Sequence, residues 1–403
     1  MDAFVLSVFA VVYLGMIAGK IPGLALDRTG VALLGAITLV AGGRISLEDA
    51  WRAIDVPTIG LLLGLMVVSA QFRLGGFYSR FTQRISALRV TPGALLALVI
   101  AAAAALSALL SNDIICLAMA PILADGCARR RLDPVPFLLA LACAANVGSA
   151  ATLIGNPQNM LIGQVLQIDF SRYLAQAIVP TAAGLGAVWL VIWRRYGGCW
   201  ERQTAMPDRA VQPFDAWQTA KGLGVLAALV AAFLIGTWPR DVLALAAAGV
   251  LLMNRKMATR AMLELVDWQL LILFASLFIV NHSMQQSGNL SRIIEHAKSA
   301  GFDPSQPAEL FGASVALSNL VSNVPATMLL LPSAVHPLGG LILALSSTLA
   351  GNLLIVGSIA NIIVVDQASR LGLSITWRDH ARVGGPVTLL TLAVAAAWLA
   401  LLV

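Results

Sequence analysis

Apolar stretches recur from one end of the chain to the other, at roughly 4–19, 29–42, 57–72, 93–111, 113–124, 135–167, 174–193, 222–236, 241–253, 268–282, 308–322, 325–335, 340–369 and 383–403. A helix that crosses a bilayer needs roughly 20 mostly apolar residues. Over 403 residues the hydrophobic share is 59% and the charged share 11%, against about 25% charged in soluble proteins. So few charges cannot cover a surface that faces water. A soluble enzyme and a disordered chain are both excluded, and lipid is the solvent that fits.

Other composition signals fall in line. The formal net charge of +6 reads as membrane orientation rather than nucleic-acid binding. Cys116, Cys127, Cys143 and Cys199 form no CxxC pair, and His282, His296, His336 and His380 have no metal-ligand spacing. Neither a disulfide framework nor a metal site is expected. The opening MDAFVLSVFA lacks a basic n-region, so residues 4–19 are expected as a retained helix.

Several stretches are too short to cross alone. The pairs 93–111 with 113–124 and 308–322 with 325–335 are separated only by a polar tip, and 135–167 and 340–369 are interrupted by Gly/Asn clusters. Such breaks are tolerated at membrane depth only when buried in protein or lining a wet cavity. Taking each pair as a re-entrant hairpin and each interrupted stretch as one crossing gives about ten spans, two hairpins and two broken helices. Of the 26 Lys and Arg, 20 then share one face, and Arg44, Arg52, Arg172, Arg240, Arg292 and Lys298 lie on the other. The rich face is expected to be cytoplasmic, with both termini outside.

The chain repeats. Asp55 and Asp267, Gly76 and Gly288, and Arg80 and Arg292 lie 212 residues apart, and the Ser111-Asn112 and Ser322-Asn323 tips 211 apart. Gly155 and Asn159 match Gly357 and Asn361 at an offset of 202. An odd number of spans per half inverts the second half. The expected all-α polytopic architecture is therefore a first inverted repeat over 1–195, a cytoplasmic linker over 196–220 and a second repeat over 221–403. Paired broken helices in inverted repeats point to a secondary transporter with its site near the midplane.

The tips read LLSNDIICLAMAP and LVSNVPATMLLLP, and the breaks ANVGSAATLIGNPQNMLIG and LAGNLLIVGSIANIIVV. A buried amide without a partner costs roughly 2–7 kcal/mol, so Ser-Asn within an apolar hairpin implies a partner. Each return arm aims its free N–H groups and positive dipole end at its tip, which favours an anion. The preceding arm ends in carbonyls, which favour a cation.

These motifs resemble the ion transporter superfamily: divalent anion/sodium symporters, citrate permeases, arsenite permeases and NhaD-type sodium/proton antiporters. The symporters carry Ser-Asn-Thr at both tips. Here the third position is Asp113 and Val324, and the Asn-Asp of the first tip looks more like the arsenite-permease branch. The resemblance covers nearly the whole chain and implies a transport domain that slides against a scaffold, the elevator form of alternating access. It also implies that Ser111, Asn112 and Asn159 form one half-site and Ser322, Asn323 and Asn361 the other, with Na⁺ expected at Ser111, Asn112, Ser322 and Asn323. Gly148, Gly155 and Gly357 would let backbones approach. Asn146, Asn156 and Asn352 would either cap helices or bind, and Pro121 and Pro332 would shape the return arms.

Asp113 is the one acid at an expected hairpin tip, and an intramembrane acid is a functional-site hypothesis. An ionised Asp113 repels an anion, so a proton or Na⁺ must neutralise it first, or the cargo is not an anion. Its structural alternative is capping of the return arm. Asp366 reads as structural, and Arg129-Arg130-Arg131 as an orientation anchor. The Trp residues near span ends read as an interfacial belt, Gly60 with Gly64 as a helix-packing motif, and His282 as interfacial.

The expected function is a secondary carrier of a small anion, a carboxylate or oxyanion, coupled to Na⁺ or H⁺, in a bacterial inner membrane. The alternative is a proton-coupled arsenite efflux carrier or a Na⁺/H⁺ antiporter. No cofactor is expected beyond the coupling ion, and no nucleic acid; the resemblance implies a homodimer. No nucleophile–base pair that would make the chain an enzyme, and no ATPase motif, stands in the sequence. A channel fits paired hairpins less well than alternating access does.

Overall fold

The computed structural model describes residues 2–19, 25–201, 213–236 and 238–402. Residues 202–212 of the expected linker lie outside the described residues, as do Lys20, Arg202 and Arg209. The described chain is α-helical with two short 3₁₀ turns. In the first half the helices are α1 (Ala3–Ala18), α2 (Arg28–Ala41), α3 (Leu47–Ala53), α4 (Val56–Leu74), α5 (Phe77–Ser86), α6 (Pro92–Leu109), α7 (Asn112–Arg129), α8 (Pro134–Ser149), α9 (Pro157–Val165) and α10 (Phe170–Tyr196). The second half carries α11 (Ala216–Ile235), α12 (Arg240–Leu252), α13 (Thr259–Leu263), α14 (Trp268–Gln286), α15 (Asn289–Ser299), α16 (Pro307–Val321), α17 (Asn323–Leu330), α18 (Gly339–Ala350), α19 (Ile359–Arg370) and α20 (Trp377–Leu402).

The starts of α3, α4 and α5 recur 212 residues later as α13, α14 and α15. Their local causes recur too. Asp55 accepts from the Thr58 N–H at 2.8 Å and Asp267 from the Leu270 N–H at 3.0 Å, each capping its helix. Gly76 and Gly288 take φ of 69° and 70° at the next corner, a left-handed geometry that glycine adopts without strain.

Four short helices escaped the apolar-stretch reading: α3, α5, α13 and α15. In α5, FYSRFTQRIS places Tyr78, Thr82 and Ser86 inward and leaves Arg80 and Arg84 on the other side. Such a sequence is amphipathic and too polar to register as a membrane stretch. Among the described residues, five helices, α4, α6, α10, α11 and α20, are long and apolar enough to cross a bilayer alone, while α1, α2, α8 and α18 are apolar but shorter. The 16 residues of α8 rise about 24 Å, less than the hydrocarbon core, and the chain continues past the break into α9. In α4, Gly64 admits α12 so closely that a methyl there would sit 2.6 Å from the Ala244 carbonyl.

The first tip sits on an antiparallel helical hairpin. Gly148 of α8 lies against Ala104 of α6, and Thr152 donates to the Ala108 carbonyl, so α6 and the α8 path run in the same direction. The start of α7 meets the end of α8 through Asn112 and Asn146, so α7 runs against α8 and hence against α6. At the base, the Arg130 guanidinium just after α7 donates to the carbonyls of Leu88 and Val90 just before α6, at 2.8 and 2.6 Å. At the second tip α16 and α18 pack together, and the start of α17 lies against the end of α18. The core of the molecule is the α8–break–α9 and α18–break–α19 region: every residue from 134 to 164 is buried.

Candidate functional site

Both tips end in the broken helices. The backbone N–H of Asn112 donates to the Gly155 carbonyl at 3.2 Å. The amide of Asn323, oriented by its neighbours, donates to the Gly357 carbonyl at 3.3 Å and the Ser347 carbonyl at 3.0 Å, and its oxygen accepts from Gln158 Nε2 at 3.3 Å. Each tip therefore touches the repeat-related glycine of its own half's break.

The side chains of the breaks then cross between halves. Asn146 of α8 accepts from Asn112 Nδ2 at 3.1 Å and Ser358 Oγ at 2.8 Å, and donates to Asn352 Oδ1 at 2.8 Å and Asn361 Oδ1 at 3.1 Å. At an offset of 202 its counterpart is Thr348 of α18. Thr348 Oγ1 accepts from Asn156 Nδ2 and Gln158 Nε2, each at 3.2 Å, and donates to Asn159 Oδ1 at 3.4 Å. The pairs Asn146–Ser358 and Thr348–Asn156 are thus one interaction seen twice, as are Asn146–Asn361 and Thr348–Asn159. The internal bonds of the breaks repeat too: Asn159 Nδ2 donates to the carbonyls of Ser149 and Thr152 at 3.3 and 3.0 Å, and Asn361 Nδ2 to those of Gly351 and Leu354 at 2.8 and 3.2 Å.

The grouping differs in detail from the half-sites that the resemblance implied. Asn361 spends its amide N–H groups on its own break, Asn159 donates to its own break and to the Tyr173 hydroxyl at 3.2 Å, and Asn112 bonds Asn146 rather than Asn159. Asn156 does cap α9, accepting from the Asn159 N–H at 2.9 Å, and it also reaches Thr348. Gly148 and Gly155 sit where a methyl would lie 2.3 Å from Ala104 Cα and from the Ser149 carbonyl, and at Gly357 it would lie 3.1 Å from the Gly351 carbonyl. Pro121 is inside α7, and Pro332 lies in a 3₁₀ turn that follows α17.

The tips keep unused acceptors. Asn112 is 5% exposed, and among the described residues its Oδ1 has no partner. Among the described residues no protein group bonds the Ser111 or Ser322 hydroxyl or the Asp113 carboxylate, all half-buried, and no side chain caps α7 or α17. Asp113 therefore does not cap the return arm. Asp366 pairs with Arg370 at 2.8 Å on a half-exposed face. Beside the second hairpin lies a cavity of about 770 Å³, with Arg52, Asp55, Asn281 and His282 on one wall and Met328, Leu331, Pro332 and Val335 on another. His282 thus faces this cavity.

Gln158, Ser149, Thr348, Ser358 and Tyr173 were absent from the expected site. The signal for two of them was available: the offset of 202, applied to Asn146 and Asn156, lands on Thr348 and Ser358. No local motif marks Tyr173, which enters from α10.

Known proteins are similar to this chain. Over 96% of this chain and 95% of its own length, the silicon efflux transporter LSI3 of Oryza sativa is 28% identical. The inner membrane protein YbiR of Escherichia coli is 30% identical over 81% of this chain and 83% of its own. The YdaH transporter of Alcanivorax borkumensis superposes with a TM-score of 0.60 at 14% identity, covering 99% of this chain and 96% of that one, and so shares the fold. Residues 11–341 match the citrate transporter family, and the chain is a member of that family of membrane transporters.

Proposed function

We propose that the protein is a secondary active carrier of a small anion, a carboxylate or oxyanion, coupled to Na⁺ or H⁺ and working by elevator-type alternating access. One observation carries the reading: each half's inner helix bonds the other half's break in the same way. A site built so has two equivalent approaches, as alternating access between two sides of a membrane requires. The two repeats, 1–195 and 221–403, are then inverted in the bilayer, with the basic-rich face cytoplasmic and both termini outside. The tips and breaks move as one body against the remaining helices, in a homodimer.

The chemistry divides between the tips. The first offers acceptors: Asn112 Oδ1, the Ser111 hydroxyl and the Asp113 carboxylate. Oxygen ligands of this kind suit Na⁺ or a proton. Asn323 is spent on Gly357, Ser347 and Gln158, so at the second tip Ser322 and the uncapped start of α17 are what remains for a ligand. Helix N-termini bind anions without Lys or Arg. The coupling cation therefore takes the first tip, neutralises Asp113 and so admits the anion.

A second reading is export of a neutral oxyacid or arsenite in exchange for protons, or Na⁺/H⁺ antiport. Asp113 and the silicon efflux relative favour it. Uptake by proteoliposomes of citrate, succinate, sulfate and arsenite, alongside Na⁺/H⁺ exchange, separates the two. Anion uptake driven by an inward Na⁺ or H⁺ gradient is expected, and in Asp113→Asn uptake that no longer follows that gradient. Arsenite or Na⁺/H⁺ exchange with no anion uptake would replace the first reading by the second.

A further inference from the structure

The two breaks are held from behind by different residues at the same place. In the first, the Tyr173 hydroxyl of α10 donates to the Ala150 carbonyl at 2.8 Å. At the offset of 202, Ala150 corresponds to Asn352. The Asn352 carbonyl lies 3.0 Å from His380 Nε2 of α20. Tyr173 and His380 are 1% and 2% exposed, and they occupy the first turns of the two helices that follow the two broken stretches. A carbonyl only accepts, so His380 Nε2 carries the proton. Gly384, one turn on, admits the backbone: a methyl there would lie 2.3 Å from the Asn352 carbonyl. The contact is therefore built into the packing of α20.

The chain of bonds continues inward. Asn352 Oδ1 accepts from Asn146, and Asn146 accepts from Asn112 at the first tip. We propose that His380 is a positioning residue, the counterpart of Tyr173, whose Nε2–H latches the second break and fixes the Asn352–Asn146–Asn112 line for transport. His380 touches no tip and acts only through Asn352. Its part is that of a fixed N–H donor, not of a proton carrier. The consequence for transport rests on the function proposed above; the latch itself does not.

Hydrogen–deuterium exchange of the purified protein tests the latch without any cargo. His380→Leu, which removes the donor at similar size, is expected to raise exchange over 350–358 roughly tenfold, the factor carried by one buried hydrogen bond, and to leave 148–156 unchanged. Tyr173→Phe is expected to do the reverse. His380→Gln presents an N–H at a similar reach and should stay within twofold of wild type over 350–358. In proteoliposomes, His380→Leu should lower the uptake rate about tenfold, and His380→Gln should restore the rate with the wild-type pH profile. Equal rises over both segments, or His380→Gln matching His380→Leu, would reduce His380 to a packing residue and overturn the latch. If His380→Leu does not fold, His380→Asn against His380→Gln and the Tyr173→Phe arm carry the same comparison. Reciprocal exchange with unaltered uptake would overturn the role in transport alone, and absence of anion uptake in wild type would overturn the function proposed above while leaving the latch standing.

Discussion

The two tips share a frame and differ in what they place on it. Asn112 and Asn323 each reach the matching glycine, Gly155 or Gly357, and each break closes on itself through the same two carbonyls. The next residue is Asp113 at one tip and Val324 at the other, and the inner helix contributes Asn146 in one half and Thr348 in the other. What is common to both is backbone and amide geometry, which sets shape. What differs is charge and hydrogen-bonding capacity, which sets chemistry. The first half carries the acid and the four-bond hub, so the largest losses are expected there.

The strongest way to break this comparison is to remove the hub. Asn146→Ala strips one partner each from Asn112, Ser358, Asn352 and Asn361. Leaving buried polar groups unsatisfied costs about 1–3 kcal/mol each, less than additively within one network. Transport by reconstituted protein is expected to fall by more than about 100-fold. Thr348→Val removes a hydroxyl whose bonds are longer, at 3.2, 3.2 and 3.4 Å, and should cost about tenfold. Equal losses would mean that the hub has no special weight.

The glycines give the next largest contrast. At Gly155 a methyl would meet the Ser149 backbone at 2.3 and 2.7 Å, and backbone cannot yield as a side chain can; at Gly357 the nearest atoms stand at 3.1 and 3.2 Å. Overpacking of a tight core costs typically 1–3 kcal/mol. Gly155→Ala is expected to lower the yield of folded protein in detergent severalfold, and Gly357→Ala to leave it within about a third of wild type. Size-exclusion profiles read both.

Asp113 sharpens the comparison in chemistry rather than in stability. Asp113→Asn keeps the shape and removes the charge, so the pH dependence and cation requirement of uptake are expected to flatten. Val324→Asp puts a second acid at the other tip, without the unpartnered amide oxygen that Asn112 supplies beside Asp113, and should lower anion uptake at neutral pH by like-charge repulsion. If Asp113→Asn retains both dependences, the coupling cation does not use the first tip.

Much of this frame was legible beforehand because it is written in spacing. The offsets 212, 211 and 202 located the tips and breaks, and the same residues meet in space. What spacing could not give was which partner each asparagine takes. Asn159 was expected in one half-site with Asn112, and its amide donates to the Ser149 and Thr152 carbonyls of its own break and to the Tyr173 hydroxyl. Tyr173 and His380 lie 207 apart, at an offset no tip or break shares, so neither stood out in the sequence. The amphipathic α5 and α15 were missed because their apolar residues stand singly or in pairs, a helical turn apart, among polar ones, and a search for continuous apolar runs is blind to that pattern.

The smallest expected effect lies at the bases of the hairpins, where the halves also differ. Arg130 closes the first by donating to the Leu88 and Val90 carbonyls at 2.8 and 2.6 Å while half-buried. Before the second hairpin stands a Lys298–Asp303 pair at 3.3 Å with side chains 46% and 30% exposed. Hydrogen bonds from a charged donor contribute about 1.5–3 kcal/mol when shielded, and exposed ion pairs about 0–1 kcal/mol. Arg130→Gln can keep one of the bonds, so a loss of about 1 kcal/mol is expected, read as a fall of about 2 °C in the thermal unfolding midpoint. Lys298→Gln should move the midpoint by less than about 1 °C. A larger shift for Lys298→Gln would place the tighter clasp on the second hairpin, and with it the half of the molecule that tolerates movement least.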